Sequence, residues 1–126
     1  MGARCSGVKT LVLGASPNPA RYAHLATKRL LRHGHDVVLV GARDGEIDGH
    51  PIRTAPYHGD DVDTVTLYLG AARQAPYYAY LVEELRPRRI IFNPGTENPE
   101  LEARARAAGI ETARACTLVM LGAGTY

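Results

Sequence analysis

Two glycine-bearing turns in this 126-residue chain could hold a phosphate. One is Gly14-Ala15-Ser16-Pro17-Asn18-Pro19, which follows an apolar run and precedes a helical pattern; the other is Asn93-Pro94-Gly95. A loop that opens into a helix leaves the first backbone N–H groups of that helix unpaired, and an anion can accept them. The dinucleotide fingerprint Gly-x-Gly-x-x-Gly is absent, because Ser16 and Pro19 stand at its second and third positions. A glycine at the second position lets a pyrophosphate approach the backbone closely. Ser16 restricts that approach while adding a hydroxyl donor. The competing reading is that Gly14 only turns a strand into a helix.

The end of the second strand discriminates further. Folds that bind NAD place an acid there to hold the ribose hydroxyls. Here the residues are Val40-Gly41-Ala42-Arg43, with no acid before Asp44. Arg43 suits a phosphorylated ribose, as in NADP or coenzyme A, because a guanidinium gives bidentate donors to phosphate; otherwise it is a solvated loop arginine. Arg21, Arg73 and Arg114 also follow strands, on the side where ligands bind. Arg86-Pro87-Arg88-Arg89 precedes a strand and reads as a solvated face. No catalytic set emerges. Ser16 has no base near it in sequence, His24 falls on the first helix, and His33, His35, His50 and His58 sit at turns or loops. No metal-ligand spacing is present. Cys116 follows the fifth strand and either faces the crevice or packs as a small apolar residue.

These residues need elements to position them. Lys9–Leu13 and Asp36–Val40 read as buried strands, with a helix between them starting near Pro19 or Ala20 and closing at Gly34. Asp48-Gly49 signals a small hairpin within 45–52, and a short helical turn fits 56–61. Thr64–Leu69 is the third strand. A helix over 76–85 ends at Pro87, and Arg89–Phe92 is the fourth strand. Asn98, Pro99 and Glu100 give three concordant start signals for a helix that Gly109 closes. Its pairs Glu100–Arg104 and Glu102–Arg106 predict a solvated face. Ile110–Ala113 is the fifth strand, and the apolar stretch 116–121 packs. Strands alternating with helices predict an α/β fold: one five-stranded parallel sheet, order 3-2-1-4-5, with helices on both faces. The crevice then lies between strands one and four.

Bulk properties exclude other classes. A net charge of +2, with the charges well mixed, gives no footprint for nucleic acid or an anionic membrane. No apolar run approaches the roughly 20 residues of a membrane span. Cys5 and Cys116 form no disulfide framework, so a cytoplasmic location is the default. Residues 1–7 read as a flexible N-terminus ahead of one domain over 8–126. Their Met-Gly start with Ser6 fits a myristoylation pattern only loosely.

The stretches 12–22, 34–40, Asn93-Pro94-Gly95-Thr96 and 108–110 leading to Cys116 resemble the small stand-alone CoA-binding domain proteins. These are related to the CoA-binding part of the succinyl-CoA synthetase α subunit. The resemblance implies a Rossmann-like domain with Gly14, Ala15, Ser16, Asn18, Arg21 and Tyr22 around the CoA phosphates. It also implies that Gly41 to Arg43 meet the adenosine end and that Asn93, Pro94 and Gly95 form the opposite wall. Phe92-Asn93 and Gly41-Ala42 depart from the family, which often has Trp-Gln and Pro at those places. Ligase activity is not implied.

Three readings follow. The first is a binding module for CoA or an acyl-CoA, a carrier, sensor or regulator without chemistry of its own. The second is an NADP-dependent reductase, or part of one, that uses the same loop. The third is a subunit whose site is completed by a partner or by a second copy in a homodimer.

Overall fold

A computed structural model describes residues 8–126. The expectations for residues 1–7, Cys5 among them, fall outside it. Lys9–Leu13 (β1) and Asp36–Val40 (β2) pair in parallel, as their near-continuous apolar character requires. The helix between them, α1 (Tyr22–Arg32), begins two to three residues later than expected. It closes with a Schellman motif: Gly34 N–H donates to Leu31 O and His35 N–H to Leu30 O, both at 3.0 Å.

The expected hairpin forms from Gly45–Ile47 (β3) and His50–Arg53 (β4), turning through Asp48 and Gly49, both at positive φ. Its place in the sheet was not foreseen. β4 pairs in parallel with the outer edge of β2, with Leu39 opposite Ile52 and Val40 opposite Arg53. Thr64–Leu67 (β5) therefore cannot lie beyond β2 and sits on the other side of β1, with Leu13 opposite Leu67. Arg89–Phe92 (β6) and Glu111–Arg114 (β7) complete the sheet.

The sheet has seven strands rather than five, in the order β3-β4-β2-β1-β5-β6-β7. This corrects the expected order 3-2-1-4-5. The physical reason is the free edge of β2, whose polar groups need partners. β4 supplies them, and Gly41 N–H then continues the ladder to Arg53 O at 2.9 Å. β5, buried at every position, takes a central slot that the half-exposed β4 could not fill.

Both faces are covered. On one, Leu11, Leu13, Val65, Leu67, Ile90 and Phe92 pack under α2 (Pro99–Ala107) and the helical segment 71–85. On the other, Val12, Leu39, Ile47 and Ile52 pack under α1 and α3 (Thr117–Ala123), the folded form of the apolar tail. The segment 71–85 is not the single helix expected over 76–85. It runs as 3₁₀ turns at Ala71–Arg73 and Ala75–Tyr77, then as a π-helix over Tyr80–Leu85. Pro76, which has no N–H, interrupts the ladder in its first half. Residues 56–61 form no helical turn.

α2 starts as its cap residues predict, since Asn98 Oδ1 accepts from the N–H groups of Glu100 and Leu101. One face differs from expectation. Glu102 is buried, not solvated, and accepts from Arg114, from Arg106 and from the Asn98 N–H. Burial pushes its carboxyl up, but the bonds from Arg114 and Asn98 outweigh it and hold the group below its usual range. A depressed folded-state value stabilises the fold above the ordinary carboxylate pKa of 4.5, and that stability is lost as pH falls through the folded value. Glu102→Gln is expected to cost about 1 kcal/mol at neutral pH, Arg114 being half-exposed. In urea denaturation the gap between variant and parent should close below about pH 4.

Candidate functional site

The strand order reverses between β1 and β5, and in open α/β sheets the ligand crevice lies outside the carboxyl ends of the strands at that reversal. The crevice is therefore flanked by Gly14 and by Tyr68-Leu69-Gly70, not by strands one and four as expected. Tyr68 N–H donates to Leu13 O at 2.8 Å and brings the two strand ends together. Gly14 has φ +102°, and a Cβ there would lie 2.9 Å from the Tyr68 carbonyl carbon. Both the conformation and the space demand glycine.

The β1–α1 loop is docked on the end of β2. Gly14 N–H and Ala15 N–H both donate to Val40 O, at 2.8 and 3.0 Å. Ala15 is buried, and its carbonyl oxygen would lie 2.2 Å from a Cβ on Gly41. Further along, Pro17 packs against Gly45 at the start of β3, where a Cβ would sit 3.1 Å from Pro17 Cβ. The structure thus brings Gly14–Pro17 and Gly41–Gly45 into one surface, with Arg43 exposed on it.

The loop is held by its own side chains. Ser16 Oγ accepts from Asn18 N–H at 3.1 Å, which leaves the hydroxyl proton free to donate. Asn18 Oδ1 accepts from Ala20 N–H at 3.0 Å. His24, buried in α1, has Nδ1 3.1 Å from Ser16 O; a carbonyl only accepts, so Nδ1 carries the proton and ties helix to loop. That positioning role was not visible in the sequence, although the spacing of eight residues from Ser16 to His24 fits a loop and one helical turn.

Arg21 caps α1 with extended backbone and no side-chain cap bond. Tyr22, the first helical residue, is 73% exposed. The first turn carries no acid and the last turn carries Arg29 and Arg32, so charge placement favours an anion at the N-terminus.

The Asn93-Pro94-Gly95 turn is placed differently from the rest. It follows β6, and β5 stands between it and β1. Pro94 and Gly95 are exposed, and Gly95 N–H donates to Glu97 Oε1. Asn93 is buried with its amide fully engaged: Nδ2 donates to Thr66 Oγ1 and Leu67 O, and Oδ1 accepts from Thr117 N–H. Gln74, also buried, links the two turns by donating to Leu69 O and Thr96 O.

Of the four arginines expected on the ligand side, Arg114 is committed to Glu102. Arg21, Arg43 and Arg73 are exposed, and none is in an ion pair among the described residues. At the opposite edge Arg88 is bound to Asp63 and lies near Glu111.

Cys116 is half-buried at the N-terminal flank of α3. Near it lies the Tyr68 phenol, pushed up to about 12 by burial, with the Cys116 thiol adding to the effect. A phenol so placed stays protonated at neutral pH and serves as a donor, not a base. Among the described residues its hydroxyl has no hydrogen-bond partner. The surface as a whole offers N–H groups, a hydroxyl and cations converging on an anion.

Comparison with known proteins agrees with this geometry. A crystal structure described only as that of an uncharacterized protein is 50% identical, with TM-score 0.91, covering 94% of this chain and 98% of that one. A hypothetical protein from Pyrococcus horikoshii OT3 is 27% identical, with TM-score 0.79, covering 87% of this chain and 78% of that one. A conserved hypothetical protein from Pyrococcus furiosus is 28% identical, with TM-score 0.74, covering 84% and 91%. No curated protein matches. A model of the family described as "CoA binding domain" matches residues 8–122, and the chain belongs to that family.

Proposed function

We propose that this protein binds coenzyme A or an acyl-CoA through the β1–α1 loop, as a carrier, sensor or regulatory module without chemistry of its own. The observation that carries this reading is the docking of that loop on Gly41. It holds the N-terminus of α1, free of acids, beside the unpaired Arg43. Two ends of one phosphorylated ligand need such a pair of anion sites: helix N–H groups for a pyrophosphate and a guanidinium for a ribose phosphate. Membership of the CoA binding domain family supplies the ligand class. The residues on this surface, Gly14, Ala15, Ser16, Asn18, Arg21, Tyr22, Gly41 and Arg43, are the proposed contacts. Pro94 and Gly95 stand further along the same edge, within reach of a ligand of extended shape.

Thermal-shift titration tests the reading, because a ligand that binds only the folded state stabilises it by about 2.7 kcal/mol at 100 times its Kd. CoA at millimolar concentration should raise the unfolding temperature, and native mass spectrometry should show one CoA per chain. No shift with CoA, together with a shift from NADPH, would assign the loop to a reductase instead. Arg43→Ala should weaken CoA by about tenfold, the loss of one charge-assisted contact. Dephospho-CoA, which lacks the 3′-phosphate, should be much less affected; equal losses would remove Arg43 from that phosphate.

A further inference from the structure

The hairpin that upsets the expected strand order also carries a second arginine to the ligand edge. Arg53 is the last residue of β4, opposite Val40, and its carbonyl accepts the Gly41 N–H at 2.9 Å. Gly41 is thus flanked by Arg53, through a backbone bond, and by Arg43, two residues on. Both arginines are exposed, and neither is in an ion pair among the described residues.

Arg53 is not a free surface chain. Its guanidinium carbon lies 5.3 Å from the centre of the Tyr57 ring. Tyr57 is itself fixed at both ends: its hydroxyl donates to Asp61 Oδ1 at 3.0 Å, and its carbonyl accepts from the Tyr80 hydroxyl. Asp61, the nearest acid in this chain of contacts, is already bound to Lys9 Nζ at 2.6 Å. Contact with a ring uses the face of a guanidinium and leaves its in-plane N–H donors uncommitted. Arg53 is therefore a preorganised cation with free donors and no counter-ion.

We infer that Arg53 and Arg43 together clamp a phosphate monoester, the 3′-phosphate of the CoA adenosine, with Arg53 determining specificity for it. A monoester carries close to two negative charges at neutral pH, twice the charge of one pyrophosphate oxygen set, and so matches two guanidiniums. The inference rests on the CoA reading and adds to it a residue outside the β1–α1 loop and the β2 turn.

Calorimetric titration with CoA and with dephospho-CoA tests it on the parent, Arg53→Gln, Arg53→Lys, Arg43→Ala and the double variant Arg43→Ala/Arg53→Gln. Arg32→Gln, at the far end of α1, controls for loss of one positive charge. Arg53→Gln should weaken CoA by about tenfold and dephospho-CoA by less than about twofold. Arg53→Lys should fall between parent and Gln, since an ammonium keeps the charge without the fork. The double variant should bind the two ligands equally. Equal effects of Arg53→Gln on both ligands, no effect on either, or a matching loss in Arg32→Gln would overturn the clamp. A parent that binds CoA and dephospho-CoA equally would overturn it while leaving the CoA reading intact. A parent that binds neither overturns the CoA reading, and the clamp with it.

Discussion

Gly41→Ala is expected to cost about 3 kcal/mol of stability and most of the affinity for CoA. The added Cβ would sit 2.2 Å from the Ala15 carbonyl oxygen and 3.2 Å from Ile52 Cγ2. The first contact is with backbone, so no rotamer change relieves it. Ala15 cannot retreat freely either, because its N–H is bound to Val40 O, one residue before Gly41 itself. Relief requires the β1–α1 loop to lift from the end of β2. That movement displaces Ser16 and the N-terminal turn of α1, which carry the proposed phosphate contacts. Urea denaturation reads the first loss and CoA titration the second. Gly70→Ala is the matched control: it lies at the same edge with nothing within 4 Å of its would-be Cβ and should change stability by less than about 0.5 kcal/mol. A Gly41→Ala protein as stable as this control, with parental affinity, would show that the loop does not depend on the contact.

Asn93→Ala should lower stability by a similar amount, about 3 kcal/mol, without changing the preference for CoA over dephospho-CoA. The amide ties three elements: β5 through Thr66 and Leu67, β6 through its own backbone, and α3 through the Thr117 N–H. Truncation leaves the Leu67 carbonyl and the Thr117 N–H buried without these partners, and each such group costs about 1–3 kcal/mol. The Thr66 and Thr117 hydroxyls, 2.8 Å apart, would keep each other and limit the damage. A loss of ligand preference in the folded variant, with stability unchanged, would return Asn93 to the wall of the site, where the family resemblance puts it.

Much of the fold was legible because its signals are local. The β-branched runs 9–13, 36–40 and 64–67, the Asp48-Gly49 turn and the Asn98-Pro99-Glu100 start each depend on a few neighbouring residues, and all appear as read. Sheet order is not local. Nothing in His50-Pro51-Ile52-Arg53 announces that its parallel partner is β2, and a proline in a four-residue strand argues against an interior place. A hint did exist: Thr64–Leu67 is apolar or β-branched throughout, as a central strand must be, whereas 50–53 alternates. Once β4 is at the edge, the crevice moves to Tyr68 and Arg53 arrives beside Arg43. The burial of Glu102 was hidden for a related reason. Its i,i+4 partner Arg106 is readable along the helix, but Arg114 comes from the next strand, and only their convergence on one carboxylate takes it out of water.

The uneven pairing of the arginines has a kinetic side. At the amino edge Arg88 is bound to Asp63, and Lys9 to Asp61, so their fields cancel at short range. At the carboxyl edge Arg21, Arg43, Arg53 and Arg73 stand without such partners among the described residues. A chain of net charge +2 thus presents its positive potential mainly at one end. Such a field draws polyanions toward the crevice before any contact forms, and salt weakens it over about 8–10 Å. The encounter rate with a multiply phosphorylated ligand should therefore fall with ionic strength, while the rate with a neutral one stays level. The molecule is oriented toward its ligand at a distance, by charges its own fold has left uncompensated.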